Sequence, residues 1–216
     1  MYSNKENVNI LTALLVKERV KKAVVCPGSR NSPIVHNLCA CPDIECYPVT
    51  DERSAGFVAL GMTLADNEPV AVCVTSGSAL LNLAPAVAEA FYQKRPLIII
   101  SADRPAQWID QQDGQTLQQH RALEPNVRKS VTLPEPHNEE ERWYCNRLVN
   151  EALNAVRLND GSPVHINVPI SEPLFEYDVP KLPDERDIFM LHATTDSICV
   201  YEMAADFFRG KKLMFV

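Results

Sequence analysis

The sequence predicts an α/β fold with a doubly wound, mostly parallel sheet and helices on both of its faces. Short β-branched and aliphatic runs alternate with stretches of helical periodicity along most of the chain. The run at 97–101 is apolar throughout, which is typical of a parallel strand that is covered on both faces. With 216 residues, of which 46% are hydrophobic, the chain is long enough for one domain and part of another.

The predicted elements follow one another in regular alternation. The strands are expected at 23–26, 45–49, 70–74, 97–101, 129–133 and 164–168. The helices are expected at 8–15, from 32 onward, and at 51–64, 78–92 and 139–158. A polar segment at 103–119 shows little periodicity, and a loop of that length in a compact domain is usually functional or disordered.

A change of composition predicts where the first domain ends. Residues 1–171 form the predicted α/β domain, and the proline-rich, acidic stretch 172–190 is the expected linker. Residues 191–216 then carry a helical pattern at 196–209 and an apolar strand at 213–216. We expect this last part to be the first helix and strand of a truncated second domain, because such a strand has no obvious partner; pairing within the first domain is the alternative.

Net charge, hydropathy and cysteine spacing argue against nucleic-acid binding, membrane insertion and a zinc site. The formal net charge of -7 argues against nucleic acid or a membrane surface as the main partner, because both attract basic faces. No apolar run is long enough for a transmembrane helix, and the N-terminus has no signal-peptide core. The seven scattered cysteines favour reduced thiols in a cytoplasm, and the cluster at Cys39, Cys41 and Cys46 lacks the spacing of a zinc site.

Four polar, turn-forming segments follow four of the predicted strands: 26–33, 50–53, 75–79 and 101–105. In an open parallel sheet, ligands bind at the carboxyl ends of the strands. Each segment has a simpler explanation when it is taken alone. Glu52 suits the dipole at a helix start, Arg30 can be an exposed turn residue, and Asp103 and Arg104 can pair with each other. Together the four segments predict one ligand site at one edge of the sheet.

The small residues of these turns indicate what such a site accepts. Gly28 permits a tight turn, and Arg30 with the following helix start can meet an anion. The turn Thr75-Ser76-Gly77 permits close approach of a ligand, although Ser76 or Ser78 can also serve as a plain helix cap. The spacing GxxxxGK[ST] of a phosphate-binding loop is absent.

The four segments resemble the N-terminal, pyrimidine-binding domain of the thiamine-diphosphate-dependent enzymes. They stand here as P-G-S-R-N-S-P at 27–33, D-E-R at 51–53, T-S-G-S-A at 75–79 and S-A-D-R-P at 101–105. The stretch 161–169 resembles the last strand of that domain, and the resemblance covers residues 5 to 172. The first and last of the four motifs resemble the synthase branch that serves menaquinone biosynthesis.

The resemblance implies a set of site residues. Glu52 would be the catalytic residue, which hydrogen-bonds N1′ of the aminopyrimidine ring and so assists removal of the thiazolium C2 proton. The implied cofactor contacts are Glu52, Thr75, Ser76, Gly77 and Asn82. The implied contacts with 2-oxoglutarate and isochorismate are Ser29, Arg30, Arg104 and Gln115. One departure is Asp113-Gly114 before Gln115, where the family has Ala or Gly and then Asn or Pro, so a side-chain contact at Gly114 is lost or replaced.

The resemblance also implies what this sequence lacks. The diphosphate of the cofactor and its Mg²⁺ would bind to a G-D-G motif on another domain, and Asn159-Asp160-Gly161 lacks that context. We therefore expect no metal ligands here, an inactive isolated chain, and activity only in a homo-oligomer, either a dimer or a dimer of dimers.

Three other interpretations remain open. One is a different thiamine-diphosphate carboligase resembling acetolactate synthase, against which the two-arginine pattern counts. Another is a non-catalytic α/β module that binds anions or nucleotides, although the dinucleotide pattern GxGxxG is absent. The third is a domain used only for subunit contact.

Overall fold

A single six-stranded sheet forms the centre of the protein. The computed structural model describes residues 1–158, 161–188, 190 and 198–211. The strands lie in the order β2-β1-β3-β4-β6-β5, and every neighbouring pair is parallel. Their bounds are β1 Lys22–Val25, β2 Glu45–Pro48, β3 Val70–Val74, β4 Leu97–Asp103, β5 Lys129–Thr132 and β6 Val164–Pro169. The prediction of a doubly wound parallel sheet is confirmed.

Helices connect the strands and cover both faces of the sheet. Their bounds are α1 Glu6–Lys17, α2 Ser32–Ala40, α3 Glu52–Asp66, α4 Ser78–Asn82, α5 Ala84–Tyr92, α6 Glu139–Val156 and α7 Ile198–Phe208. The prediction of one helix over 78–92 is wrong, because Leu83 separates α4 from α5. Pro85 lies in the first turn of α5, where its missing amide hydrogen costs no helical hydrogen bond.

Two apolar cores, one on each face of the sheet, explain why the central strands are apolar throughout. Ile98 and Ile100 of β4 pack into the core under α1, α2 and α6. Ile99 points to the other face and packs with Leu80 and Leu83 under α3, α4 and α5. All three isoleucines have no exposed surface. Successive side chains of a strand alternate between faces, so a strand between two helical layers buries every residue.

The segment 172–188, which was expected to be a linker, lies along the first domain. The side chain of Tyr177 stacks on His36 with ring centroids 3.7 Å apart. Further along, Glu185 is only 4% exposed and accepts hydrogen bonds from Arg142 and, at 2.7 Å, from Asn146. The domain boundaries remain a prediction, and the strand expected at 213–216 lies outside the described residues. No helix in the described ranges is both long and apolar enough to cross a membrane.

Candidate active site at the carboxyl edge of the sheet

The four polar segments meet at the carboxyl edge of the sheet, as the sequence predicts. Strands β1, β3 and β4 are neighbours, and their register pairs Val25 with Cys73 and Cys73 with Ile100. The turns that leave these three strands therefore emerge side by side. The turn after β2 leads directly into α3, at the same edge of the parallel sheet.

Glu52 is the first residue of α3 and is half-buried. The preceding Asp51 caps this helix by accepting a hydrogen bond of 2.8 Å from the Ser54 amide. The Glu52 carboxylate takes no part in this cap, and its Oε2 lies 3.4 Å from Nδ2 of Asn82. The negative charge of Glu52 adds to the effect of burial in raising the pKa of the neighbouring Cys26 thiol to about 12, so this thiol stays neutral. Glu52 and Asn82, both predicted site residues, are thus brought together.

The turn after β1 packs directly against the turn after β3. A Cβ atom placed on Gly28 would lie 2.5 Å from Cβ of Thr75 and 2.6 Å from Oδ1 of Asn31, so only glycine fits. Asn31 holds the turn closed by donating a hydrogen bond of 2.8 Å to the Cys26 carbonyl. The close approach explains the glycine of the P-G-S-R segment.

Three buried polar atoms at this junction have no hydrogen-bond partner among the described residues: Oγ1 of Thr75, Oγ of Ser76 and Oδ1 of Asn31. A buried polar group without a partner costs free energy, so such groups usually mark a ligand or water position. Thr75 and Ser76 stand next to Gly77 in the predicted cofactor turn. Their free hydroxyl groups fit a ligand that offers hydrogen-bonding atoms there, as an aminopyrimidine ring does.

Gly77 opens helix α4 in a conformation that favours glycine. Its φ is 81°, and a Cβ atom there would lie 3.0 Å from the backbone of Gln115. Gly77 itself is the N-cap, without any side-chain cap bond, so the alternative of a serine cap is wrong. The loop that carries Gln115 therefore lies directly over the turn at 75–77.

A cleft of about 570 Å³ opens beside these turns and contains both predicted arginines. Arg30 is 4% exposed, and its Nη1 donates a hydrogen bond of 2.8 Å to the Ile170 carbonyl. Its Nη2 lies 2.9 Å from Oε1 of Glu172. Burial lowers the pKa of the Arg30 guanidinium, and the positive charge of Arg104 acts in the same direction. The cleft thus brings two guanidinium groups to one place.

Arg104 is held by the 103–119 loop and not by Asp103. Its Nη1 lies 3.1 Å from Oδ2 of Asp113, and its Nη2 donates a hydrogen bond of 3.1 Å to the Gly114 carbonyl. The simpler alternative, in which the side chains of Asp103 and Arg104 pair with each other, is therefore wrong. Asp103 instead accepts hydrogen bonds from the Arg104 amide and from Asn167. Gly114 contributes its backbone carbonyl at the position where a side-chain contact was expected to be lost or replaced.

Ser29 and Gln115 are less closely associated with the cleft. Both side chains are exposed, and neither residue lines it. The Ser29 carbonyl accepts a hydrogen bond of 3.1 Å from the Ser32 amide, which closes the turn before α2. Gln115 has a φ of 57° and contributes its backbone to the packing over Gly77. The structure thus brings Arg30 and Arg104 together, and it places Ser29 and Gln115 outside their cleft.

Sequence reasoning missed a buried polar network beneath the site. Gln119 is 1% exposed and donates hydrogen bonds to the Ala102 carbonyl at 3.0 Å and to Oδ1 of Asn167 at 2.8 Å. Ser101 donates to the same Oδ1 and lies 2.8 Å from Nε2 of His165. Polar residues at 101, 165 and 167 in otherwise apolar strands were the available signal, since buried polar groups need partners.

Comparison with known proteins gives the family. Residues 6–124, more than half of the chain, match the family model described as thiamine pyrophosphate enzyme, N-terminal TPP binding domain. The chain belongs to the thiamine pyrophosphate enzyme family. The matched residues include all four segments of the candidate site.

Two relatives of this thiamine pyrophosphate domain share the same name. A protein of Bacteroides fragilis, named 2-succinyl-5-enolpyruvyl-6-hydroxy-3-cyclohexene-1-carboxylate synthase, is 59% identical over 188 residues, which cover 87% of this chain and 34% of that protein. A protein of Porphyromonas gingivalis with the same name is 46% identical over 175 residues, which cover 81% of this chain and 30% of that protein. The chain thus spans about a third of the length of these relatives.

A solved structure supports the fold. The thiamine diphosphate-dependent 4-hydroxybenzoylformate decarboxylase of Rhodococcus jostii RHA1 superposes with a TM-score of 0.64 at 22% identity, over 75% of this chain and 30% of that one. Within the described residues of the thiamine pyrophosphate domain, no group of three or more His, Cys, Asp or Glu side chains is placed to hold a metal ion.

Proposed function

We propose that this chain is the N-terminal portion of a thiamine-diphosphate-dependent synthase that decarboxylates 2-oxoglutarate and adds the remaining four-carbon unit to isochorismate in menaquinone biosynthesis. The observation that carries the proposal is the cleft with Arg30 and Arg104 at the same sheet edge as Glu52. Two guanidinium groups in one cleft suit substrates that carry carboxylates. The names of relatives at 59% and 46% identity support the same reaction.

The residues of the proposed cofactor site have distinct roles. Glu52 would bind the pyrimidine ring through its carboxylate and hold a proton at ring atom N1′. Thr75 and Ser76, whose hydroxyl groups have no partner among the described residues, would orient the ring, and Asn82 would hold the Glu52 carboxylate from the side. When bound, thiamine diphosphate supplies the carbon nucleophile for decarboxylation and transfer, and the protein supplies position and charge.

The substrate contacts would come from the cleft. Arg30 and Arg104 would bind substrate carboxylates, since a guanidinium group offers paired donors in a plane. Ser29 and Gln115 remain proposed substrate contacts through movement of the turn and of the loop that carry them. The Gly114 carbonyl would fix the angle of Arg104.

The whole enzyme would need parts beyond this chain. We propose that the diphosphate and its Mg²⁺ bind to another domain of a homo-oligomer, and that the enzyme works in the cytoplasm. An isolated 216-residue chain would then be inactive. A carboligase resembling acetolactate synthase is less well supported, because a monocarboxylate such as pyruvate leaves one arginine without a substrate carboxylate.

One assay tests the proposal. The full-length gene product and the 216-residue chain are each supplied with isochorismate, 2-oxoglutarate, thiamine diphosphate and Mg²⁺, and the adduct is measured. We expect product from the long form and none from the short form. Pyruvate in place of 2-oxoglutarate is the control, and a preference for pyruvate would favour the acetolactate-type reaction. Absence of product in every mixture would reject the proposal.

A further inference from the structure

Both arginines of the cleft are already paired with carboxylates of this chain. Glu172 lies 2.9 Å from Arg30, and Asp113 lies 3.1 Å from Arg104. The two acidic residues line the same cleft of about 570 Å³, and the other lining residues are uncharged. The formal charges of the cleft therefore cancel before any ligand enters.

We propose that Glu172 and Asp113 are internal counter-ions that occupy the positions where ligand carboxylates bind. The cleft then selects small dicarboxylates, because the two carboxylates of such a ligand replace those of Glu172 and Asp113. The inference rests on the proposed function, since it concerns the same cleft, and it adds two residues that determine specificity. On each arginine, a ligand carboxylate takes the place of the protein carboxylate, so that the positive charge of the guanidinium group stays paired.

Burial indicates which partner moves. The Arg30 side chain is 5% exposed, whereas that of Glu172 is 66% exposed. Arg30 is also anchored by its hydrogen bond to the Ile170 carbonyl. Moving or unpairing a buried guanidinium group is costly, but a largely exposed carboxylate rotates into water at little cost. The acidic side chain is therefore the part that leaves.

The second pair lies on a different element, and its two side chains are closer in exposure, with the guanidinium group anchored by the Gly114 carbonyl. Arg104 is 23% exposed and Asp113 is 33% exposed, and Asp113 lies on the 103–119 loop. Glu172 instead begins the 172–188 segment. The two acids therefore belong to separate parts of the chain, so each can be replaced without altering the segment that carries the other.

The number of carboxylates on a ligand determines how well it can replace the two internal ion pairs. A dicarboxylate replaces both internal pairs, so both arginines stay neutralised inside the cleft. A monocarboxylate replaces only one pair and gains nothing at the other arginine, and a neutral ligand has to compete with two ion pairs that it cannot replace. The internal acids thus exclude uncharged compounds of similar size.

The test measures binding of glutarate, an unreactive dicarboxylate, to the full-length protein by calorimetry. Glu172→Gln and Asp113→Asn each remove one internal charge while keeping an oxygen acceptor. We expect each variant to bind glutarate roughly two- to fivefold more tightly, which is the range that a partly exposed ion pair contributes. The half-amide of glutarate, a monoanion, should bind more weakly than glutarate to the unaltered protein.

Glu176→Gln is the matched control. It makes the same change four residues further along the same segment, where Glu176 accepts a hydrogen bond from Asn4 and does not line the cleft. We expect its affinity for glutarate to stay unchanged. A loss of packing in the other two variants would weaken glutarate binding, so the sign of the change separates counter-ion exchange from a structural effect.

The outcomes separate this inference from the proposed function. Unchanged or weaker glutarate binding in both Glu172→Gln and Asp113→Asn would overturn the inference, even if the unaltered enzyme makes the expected adduct. Tighter binding in both variants together with no adduct would support the inference and reject the proposed reaction. Should Glu172→Gln not fold, Asp113→Asn on the exposed loop decides alone.

Discussion

Oε1 of Gln119 accepts a hydrogen bond of 2.7 Å from the backbone amide of Gly77. Gly77 belongs to the turn that is proposed to meet the cofactor, and Gln119 ends the loop that holds Arg104. The same side chain donates to Asn167, which in turn donates to Asp103 at 2.7 Å, next to Arg104. One buried amide thus connects the proposed cofactor turn with the proposed substrate cleft.

We expect Gln119→Leu to lower the free energy of unfolding by roughly 2–4 kcal/mol, because it leaves the buried Gly77 amide without its partner and removes one of the hydrogen bonds to Oδ1 of Asn167. Urea denaturation measures the change. Gln118→Leu is the matched control, since the neighbouring Gln118 is exposed and its side chain donates a hydrogen bond to the exposed Asp110. Equal losses in the two variants would show that the network adds nothing beyond a surface hydrogen bond.

Glu52→Gln tests the assigned chemistry in the full-length enzyme. Turnover should fall by about 10²–10⁴-fold, since a positioned acid–base group typically contributes that much. The unfolding temperature should not change, because the carboxylate has no hydrogen bond to the described residues besides the long one to Asn82. Glu68→Gln, an exposed site just past the C-terminal end of α3, serves as the control. Near-normal turnover in Glu52→Gln would remove Glu52 from the mechanism.

Two glycines should respond in opposite directions to alanine. Gly28→Ala forces a methyl group to within 2.5 Å of Thr75, so it should cost about 1–3 kcal/mol of unfolding free energy. Gly61→Ala lies in the exposed face of α3 with no heavy atom within 4 Å of the new methyl, so it should add about 0.5–1 kcal/mol. Urea denaturation of the 216-residue chain measures both. Tolerance of Gly28→Ala would contradict the packing of the two turns.

Stability should depend on pH through His165. Burial lowers the pKa of this imidazole to about 3, with a smaller contribution from the charge of His120. The unfolded chain takes up a proton near pH 6.5 and the folded chain does not, so the stability that is present above pH 6.5 is lost as the pH falls towards 3. The expected slope is about 1.4 kcal/mol per pH unit below 6.5.

His165→Asn isolates that contribution. Burial raises the pKa of Asp103, so this carboxyl group binds its proton more tightly in the folded state and stabilises the fold in the opposite sense at low pH. The effect of Asp103 is the same in the unaltered protein and in His165→Asn. The difference between the unfolding free energies of these two proteins, measured at pH 7 and again at pH 5, therefore reports on His165 alone. A difference that does not change with pH would contradict the neutral, buried imidazole.

Local patterns in the sequence were sufficient to predict the α/β architecture. The apolar run of β4 predicted a strand buried on both faces, and Ile98, Ile99 and Ile100 are fully buried. The same reasoning placed the polar turns at one sheet edge, because parallel strands share the direction of their carboxyl ends. It failed at Leu83, where a long helical pattern hid the break between α4 and α5.

Arg30 was predicted to meet an anion because it follows a strand end, and the resemblance to the family added Arg104 as a substrate contact. Their partners Glu172 and Asp113 were not predicted, and neither were the links of Gln119 to Gly77 and Asn167. These partners are as far as 142 residues apart, as Arg30 and Glu172 are. Sequence periodicity reports which face of an element is buried, but hydrogen bonds between distant segments depend on how the loops fold back over the sheet. Only the tertiary structure decided those contacts.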